Sequence, residues 1–157
     1  MKAYSTQNIR NVVLLGSTKS GKTTLSEAML YEGKVIDRRG TVEGKNTVSD
    51  NAEIEQINQR SVYATPLYAE FMDTKFNIID TPGADDFVGG AVSAFKVCDL
   101  GVLVVNAQQG VEVGTQIYAR YAKNYHIPLV VAVNQLDGEK ASWETTLESM
   151  KEAFGNK

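Results

Sequence analysis

The residues best suited to chemistry stand in a glycine-rich run near the N-terminus. Gly16 to Thr23 follows the pattern G-x-x-x-x-G-K-[S/T], with an apolar run before it and a helical pattern after it. Such a loop wraps its backbone N–H groups around a phosphate at the positive end of a helix. Lys22 would then supply charge to the β- and γ-phosphates, and Thr23 a hydroxyl to Mg²⁺. An ordinary glycine-rich turn is the alternative, which the strand-to-helix context disfavours.

A carboxylate loop follows at Asp80–Gly83, where Asp-Thr-Pro-Gly ends an apolar run. At the carboxyl edge of a parallel sheet Asp80 would lie beside the phosphate loop and could hold Mg²⁺ through water. Gly83 frees a backbone N–H for a γ-phosphate, so the loop after it could sense that phosphate. A proline turn after a strand is the alternative, and this motif alone would favour it.

A third polar loop, Asn134–Asp137, follows another apolar run at the same predicted edge. Two donors on the guanine edge match the two carboxylate oxygens of Asp137, whereas adenine offers no such pair. The alternative is a polar turn before the last helix. Because three such loops meet at one edge of one sheet, together they favour a nucleotide site.

The elements that must position these loops alternate between apolar runs and helical patterns, which indicates a doubly wound α/β domain with helices on both faces. The polar stretch 33–60 is long enough to be functional or mobile. The run 100–105 and the run 127–133 should be strands buried on both faces. Predicted strands are 9–15, 62–71, 76–79, 100–105 and 127–133, with an antiparallel hairpin through 72–75. Predicted helices are 22–31 and 142–153. Two further helices are predicted between the strands. The first has Phe87, Ala91, Ala94, Phe95 and Cys98 on one face, and the second has Val113, Ile117, Tyr121 and Tyr125.

Composition narrows the function classes further. The 157 residues are 43% hydrophobic and 22% charged, with a net charge of −3, so the chain lacks the basic patch of a nucleic-acid-binding domain. No apolar run approaches the roughly 20 residues that span a bilayer, and no signal peptide opens the chain. The single cysteine excludes an internal disulfide. We expect a cytoplasmic, monomeric domain without a membrane contact.

Taken together, these loops resemble those of the translational GTPases, most closely the elongation factor G family. Gly33-Lys34-Val35, the stretch 40–44 and Asp50 are similar to the approach to that family's first switch, and 106–112 to its loop after the fourth strand. The resemblance implies a P-loop NTPase fold, mostly parallel with one antiparallel edge strand. It also implies GTP or GDP and Mg²⁺ as ligands, and GTP-dependent movement of tRNA and mRNA on the ribosome, which domains beyond this chain would contact.

The chain departs from the family at four positions. Ser61 replaces the switch threonine that closes on Mg²⁺, and Gln59 replaces the glycine before it, which puts the closing geometry in doubt. Lys19 replaces a common aspartate and is either a solvated lysine or a fixed cation that strengthens nucleotide binding. Gln135 replaces a lysine whose stem covers the base, so affinity should fall more than selectivity. Ala84 replaces the histidine that orients the attacking water.

The resemblance assigns a full set of site residues. The nucleotide would contact Ser17, Thr18, Lys19, Ser20, Gly21, Lys22, Thr23, Thr24, Gly83, Asn134, Gln135 and Asp137, and Mg²⁺ would contact Thr23, Ser61 and Asp80, with no certain catalytic residue. The family's last guanine-contacting loop has no counterpart before Lys157. We therefore expect residues 1–157 to be a GTP-binding domain truncated before that loop.

Three functions remain open at this point. The first is a translocation factor whose GTP hydrolysis is slow because Ala84 stands at the histidine position. The second is a fully active GTPase in which Gln108, Gln109 or the ribosome positions the water. The third is a P-loop kinase or ATPase, for which the guanine-type loop is superfluous.

Overall fold

Five strands form one sheet in the computed structural model, which describes residues 3–155. The strand order is β2-β3-β1-β4-β5, antiparallel between β2 and β3 and parallel elsewhere. The predicted α/β fold, with one antiparallel edge strand, is thus confirmed. The strands are β1 (Ile9–Leu15), β2 (Thr65–Phe71), β3 (Thr74–Asp80), β4 (Leu100–Asn106) and β5 (Leu129–Asn134).

Helices cover both faces of this sheet because successive side chains of each strand point to opposite sides. The helices are α1 (Lys22–Glu32), α2 (Glu53–Asn58), α3 (Val88–Ala94), α4 (Val113–Asn124) and α5 (Trp143–Phe154), with short 3₁₀ turns at Thr6–Asn8 and Asp85–Phe87. From β1, Val13 and Leu15 enter one apolar core against α3 and α4, while Val12 and Leu14 enter another against α1. No helix among residues 3–155 is long and apolar enough to cross a membrane.

The hairpin between β2 and β3 is tighter than predicted. Its turn is the pair Met72 and Asp73, with φ of 46° and 58°, and Phe71 already pairs with Thr74. Two left-handed residues match the twist of the flanking strands, which explains the short turn. The predicted start of β2 at Val62 was wrong. The backbone N–H of Val62 donates to the Glu55 carboxylate and is therefore unavailable to a neighbouring strand.

The polar stretch 33–60 contains a short helix, α2, which the sequence did not predict. Its C-cap, Gln59, has φ of 49°, the left-handed conformation that glycine adopts most readily at a helix end. The missing glycine therefore does not prevent this geometry, although a residue with a Cβ pays a conformational cost there.

The predicted burial of β5 on both faces was wrong, and the predicted buried face of α4 was only partly right. β5 begins at Leu129, and its Val130 and Val131 are 52% and 39% exposed because the strand pairs with β4 alone among residues 3–155. The predicted α4 face is only partly right: Ile117 and Tyr121 are half-buried, and Tyr121 packs on the core, but Val113 and Tyr125 are exposed. The buried residues of α4 are Gly114, Thr115, Tyr118 and Ala122. The predicted α3 face is largely confirmed, with Ala91, Ala94, Phe95 and Cys98 buried.

Candidate functional site

The phosphate loop connects β1 to α1 and folds around the Lys22 side chain. Lys22 is buried, and its Nζ donates to the carbonyl oxygens of Gly16 and Ser17, both at 2.9 Å. Gly21 precedes the helix with φ of 97°, and a Cβ there would overlap the Asn134 side chain. Only glycine therefore combines this backbone angle with this approach. A tight turn of this kind at a helix N-terminus is where backbone N–H groups can bind an anion.

Gly83 brings the carboxylate loop against this cradle. A Cβ on Gly83 would lie 2.5 Å from Lys22 Nζ and 2.7 Å from the carbonyl oxygen of Ser17. No larger residue fits without moving the phosphate loop. The backbone of 80–83 is also held from the other side, because the Tyr118 hydroxyl donates to the Pro82 carbonyl at 2.8 Å. The carboxylate loop is therefore packed tightly against the phosphate loop.

The three residues assigned to Mg²⁺ meet at one point. Thr23 Oγ1 donates to Asp80 Oδ2 at 2.8 Å, and it lies 3.2 Å from Ser61 Oγ. Among residues 3–155, buried Asp80 Oδ1 and Asp50 Oδ2 make no hydrogen bond of normal length, although the hydroxyls of Ser49 and Ser61 lie near these two carboxyls and lower their pKa. Unpaired buried carboxylate oxygens are costly unless a cation completes them, so this oxygen cluster fits a hard cation such as Mg²⁺.

Mg²⁺ suits this cluster because it is held by one or two carboxylates together with substrate phosphates. Within residues 3–155 no three Asp, Glu, His or Cys side chains converge as in an all-protein metal cage. Thr23, Ser61 and Asp80 are the residues that would hold the ion, with Asp50 beside them. The ion would screen phosphate charge when bound.

Burial strongly affects the charged groups of the cluster. Burial raises the pKa of the Asp80 carboxyl to about 6, although the hydrogen bond from Thr23 and the Lys22 charge oppose it. Burial lowers the pKa of the Lys22 ammonium to about 8, although Asp80 and Asp50 oppose it. Burial also raises the pKa of Asp50. At neutral pH Asp80 and Lys22 are therefore mainly charged, although their burial in the fold favours the neutral form of each.

Asp80→Asn should consequently stabilise the protein in metal-free, nucleotide-free buffer while weakening its metal site. The Asp80 pKa is higher in the folded than in the unfolded chain. In the unmodified chain the protonated carboxyl therefore contributes its full stabilisation below pH 4, and this stabilisation is lost as the pH rises through 6. We expect the free energy of unfolding of the variant to exceed that of the unmodified chain by about 1–3 kcal/mol at pH 7.5. This difference should vanish near pH 4. Urea unfolding at several pH values measures this, and parallel pH profiles would contradict it.

The third loop is tied to the phosphate loop through amide side chains. Asn134 Nδ2 donates to the Ser20 carbonyl and Gln135 Nε2 to the Lys19 carbonyl, both at 2.9 Å. Gln135 Oε1 also accepts from Asn106 Nδ2 at 2.9 Å, and Gln135 itself has φ of 60°. Gln135 therefore fixes this loop against two others. Asp137, by contrast, is exposed and lies outside the cleft lining.

Most of the predicted site residues border one cleft of about 640 Å³, within the roughly 300–1,000 Å³ usual for small-ligand pockets. Ser17, Ser20 and Asp80 are buried, Asn134 is half-buried, and none of the four belongs to this lining. Lys19 is exposed at the cleft with φ of 62°. The predicted residues that line the cleft are Thr18, Lys19, Gly21, Lys22, Thr23, Thr24, Ser61, Gly83 and Gln135.

Ala84 stands at the edge of the cleft and presents only a methyl group. It also borders a second cleft of about 570 Å³ between the phosphate loop and α4. Gln108 and Gln109, the side chains that could substitute for the missing histidine, are exposed and line the first cleft. His126 is exposed before β5, at the opposite end of the strands, and contributes nothing to the site.

Sequence reasoning assigned no role to three buried carboxylates around the site. Glu27 on α1 accepts from the backbone N–H of Gly40 at 2.7 Å and of Val48 at 2.6 Å. Glu55 accepts three more N–H groups, and Asp50 lines the cleft. Glu27 follows Thr23 by four residues and so shares a helix face with it, which was the one available signal.

Comparison with known proteins identifies the family. A sequence model described as the elongation factor Tu GTP binding domain matches residues 7–157. An elongation factor G-like protein from Mycobacterium tuberculosis is 36% identical over 149 residues, covering 95% of this chain and 21% of the relative. An oxytetracycline resistance protein from Streptomyces rimosus is 36% identical, covering 92% of this chain and 22% of the relative. The chain thus spans about a fifth of the length of these curated relatives.

Solved structures agree with this assignment. A crystal structure of a Thermus thermophilus protein has a TM-score of 0.90 and 33% identity, covering 94% of this chain and 22% of that one. Translation elongation factor SelB from Methanococcus maripaludis, solved with a GTP analogue, shares the fold at a TM-score of 0.65 and 20% identity, covering 89% of this chain and 24% of that one. The chain therefore belongs to the elongation factor Tu GTP-binding domain family and is a translational GTPase domain of the elongation factor G-like type.

Proposed function

We propose that this domain binds GTP with Mg²⁺ in an elongation factor G-like protein that acts in ribosomal translocation, and that it hydrolyses GTP slowly. The observation that carries the proposal is the convergence of Lys22, Thr23, Ser61 and Asp80 beside a cleft whose wall ends in the methyl group of Ala84. The family is one of GTP-binding domains, so the kinase or ATPase alternative has no support.

Different residues of the site would bind the phosphates, the Mg²⁺ ion and the guanine base. Lys22 and the N–H groups of the phosphate loop would hold the β- and γ-phosphates. Thr23 and Ser61 would contribute hydroxyl ligands to Mg²⁺, with Asp80 acting through water. Asp137 would accept from the guanine edge after moving in from its exposed position.

The Lys19 ammonium would act as a fixed cation for the phosphates. Its side chain lines the cleft, and its left-handed backbone is held by the bond from Gln135 to its carbonyl oxygen. A lysine in place of an aspartate changes the local charge by two, which favours a polyanionic ligand. The same charge would partly compensate for Gln135, which stands where the family has the lysine that covers the base.

Hydrolysis requires a side chain that orients the attacking water, and the methyl group of Ala84 cannot do so. GTP binding and release, instead of hydrolysis, would then drive the function of the protein in the cytosol and on the ribosome. Parts of the protein outside these residues would contact the ribosome. The protein would act as a monomer. We expect ribosome-stimulated turnover far below that of a histidine-bearing relative assayed beside it. Equal turnover would favour the fully active alternative, in which Gln108, Gln109 or the ribosome positions the water.

A second candidate function is protection against tetracyclines. It is favoured by the names of several relatives, among them a tetracycline resistance protein from Clostridium perfringens that is 30% identical over 96% of this chain. Deleting the gene would separate the two functions. A lower inhibitory concentration of tetracycline with unchanged growth indicates protection, whereas a growth defect without drug indicates translocation.

A further inference from the structure

Helix α2 is anchored by a carboxylate instead of an apolar side chain. Glu55 is the one buried residue of this helix and is 1% exposed, whereas Ile54 and Ile57 are 49% and 65% exposed. Glutamate is seldom fully buried unless its oxygens are paired. Because the apolar side chains of α2 are exposed and its carboxylate is buried, hydrogen bonds of this carboxylate hold the helix in place.

The bonds that Glu55 makes all go to backbone N–H groups. Its Oε2 accepts from Ala52 at 3.2 Å, at the start of α2. Its Oε1 accepts from Val62 at 2.9 Å and from Tyr63 at 3.0 Å, beyond the end of α2. One carboxylate thus joins the beginning of the helix to the chain after it, through hydrogen bonds that its charge strengthens.

The segment fixed in this way contains Ser61. Ser61 immediately precedes Val62, and its Oγ lies 3.2 Å from Thr23 Oγ1, the hydroxyl that is bonded to Asp80. Glu55 itself does not line the cleft and so would touch neither nucleotide nor ion. Its hydrogen bonds act on the site through the backbone of 62–63 to Ser61, and its charge also acts on Asp50, which lines the cleft.

We propose that Glu55 is a positioning residue that holds Ser61 at the metal site, an inference that rests on the proposed Mg²⁺–GTP function. Residues that orient a metal ligand typically alter metal affinity by about 10- to 100-fold when they are replaced. Glu27 provides a matched control. It is another 1%-exposed carboxylate that accepts from two backbone N–H groups of the polar stretch 33–60 and, like Glu55, acts through its charge on Asp50, but neither N–H group adjoins Ser61.

The test is the Mg²⁺ concentration that half-saturates binding of a fluorescent GTP analogue. Glu55→Gln keeps one acceptor oxygen but loses the charge, and we expect it to raise that concentration about tenfold. Glu27→Gln should raise it less than about threefold. In a Ser61→Ala background Glu55→Gln should have no further effect, because the ligand that it positions is gone.

Two results would overturn the inference: no shift in Glu55→Gln, or a shift of the same size in the Ser61→Ala background, which would indicate a general loss of structure. If Glu55→Gln fails to fold, amide hydrogen exchange of the unmodified chain replaces it. Val62 and Tyr63 must then be protected, and exchange at unprotected rates rejects the inference. Absence of GTP binding by the unmodified chain would instead reject the proposed function.

Discussion

In the intact protein, replacing Ala84 by histidine should raise ribosome-stimulated GTP turnover by about 10²- to 10⁴-fold, the usual contribution of a positioned acid–base group. This corresponds to roughly 3 to 5 kcal/mol of activation barrier. The backbone accepts the change, since Ala84 has φ of −83° and ψ of 140°, an extended conformation open to histidine. A new imidazole would start at the shared edge of the two clefts.

GTP affinity should stay nearly unchanged in this variant, because phosphate binding depends on the Lys22 loop. Ala84→Leu is the matched control, since it adds bulk without a group that can hydrogen-bond water. Quench-flow measurement of phosphate release with ribosomes present separates the outcomes. A rate for Ala84→His no higher than that for Ala84→Leu would show that the methyl group is not what limits hydrolysis.

Lys22→Met should weaken GTP binding by about 100-fold or more. The substitution keeps the length of the side chain but removes a buried ammonium, and each hydrogen bond to a charged group contributes about 1.5–3 kcal/mol. Lys22 Nζ already reaches two carbonyl oxygens of the phosphate loop, so its position at the cradle is fixed by the fold. The variant should also lose the pH dependence that arises from a lysine pKa near 8.

Lys19→Met is the comparison variant, because Lys19 lines the same cleft but is exposed. A loss of less than about threefold would mark it as a solvated lysine, whereas a loss near tenfold would support its role as a fixed cation. Equilibrium titration with a fluorescent GTP analogue measures both variants. Equal losses from Lys22→Met and Lys19→Met would contradict the assignment of Lys22.

The sequence predicted the parts of the site that depend on local chemistry. The phosphate loop needs glycine at Gly21 and a lysine beside it, and Asp80 comes directly after an apolar strand. Because parallel strands end at one edge, these loops were expected to meet, and the bonds among Thr23, Ser61 and Asp80 confirm that they do.

What the sequence did not predict depends on contacts between distant residues. A glutamate ordinarily indicates a solvated surface, and nothing around Glu55 signals that its carboxylate bonds Val62 and Tyr63. That bond also displaced the predicted start of β2. Likewise Val130 and Val131 carry the pattern of a buried strand, and their exposure follows from the place of β5 at the sheet edge.

The central claim, a site for guanine nucleotide held with Mg²⁺, is tested most directly by calorimetric titration of the unmodified chain with GTP and with ATP. Both titrations use the same Mg²⁺ concentration and are repeated with the ion chelated. We predict that GTP binds at least about tenfold more tightly than ATP, or roughly 1.4 kcal/mol, and that chelation weakens GTP binding. ATP binding as tight as GTP binding, or GTP binding indifferent to Mg²⁺, would contradict the account.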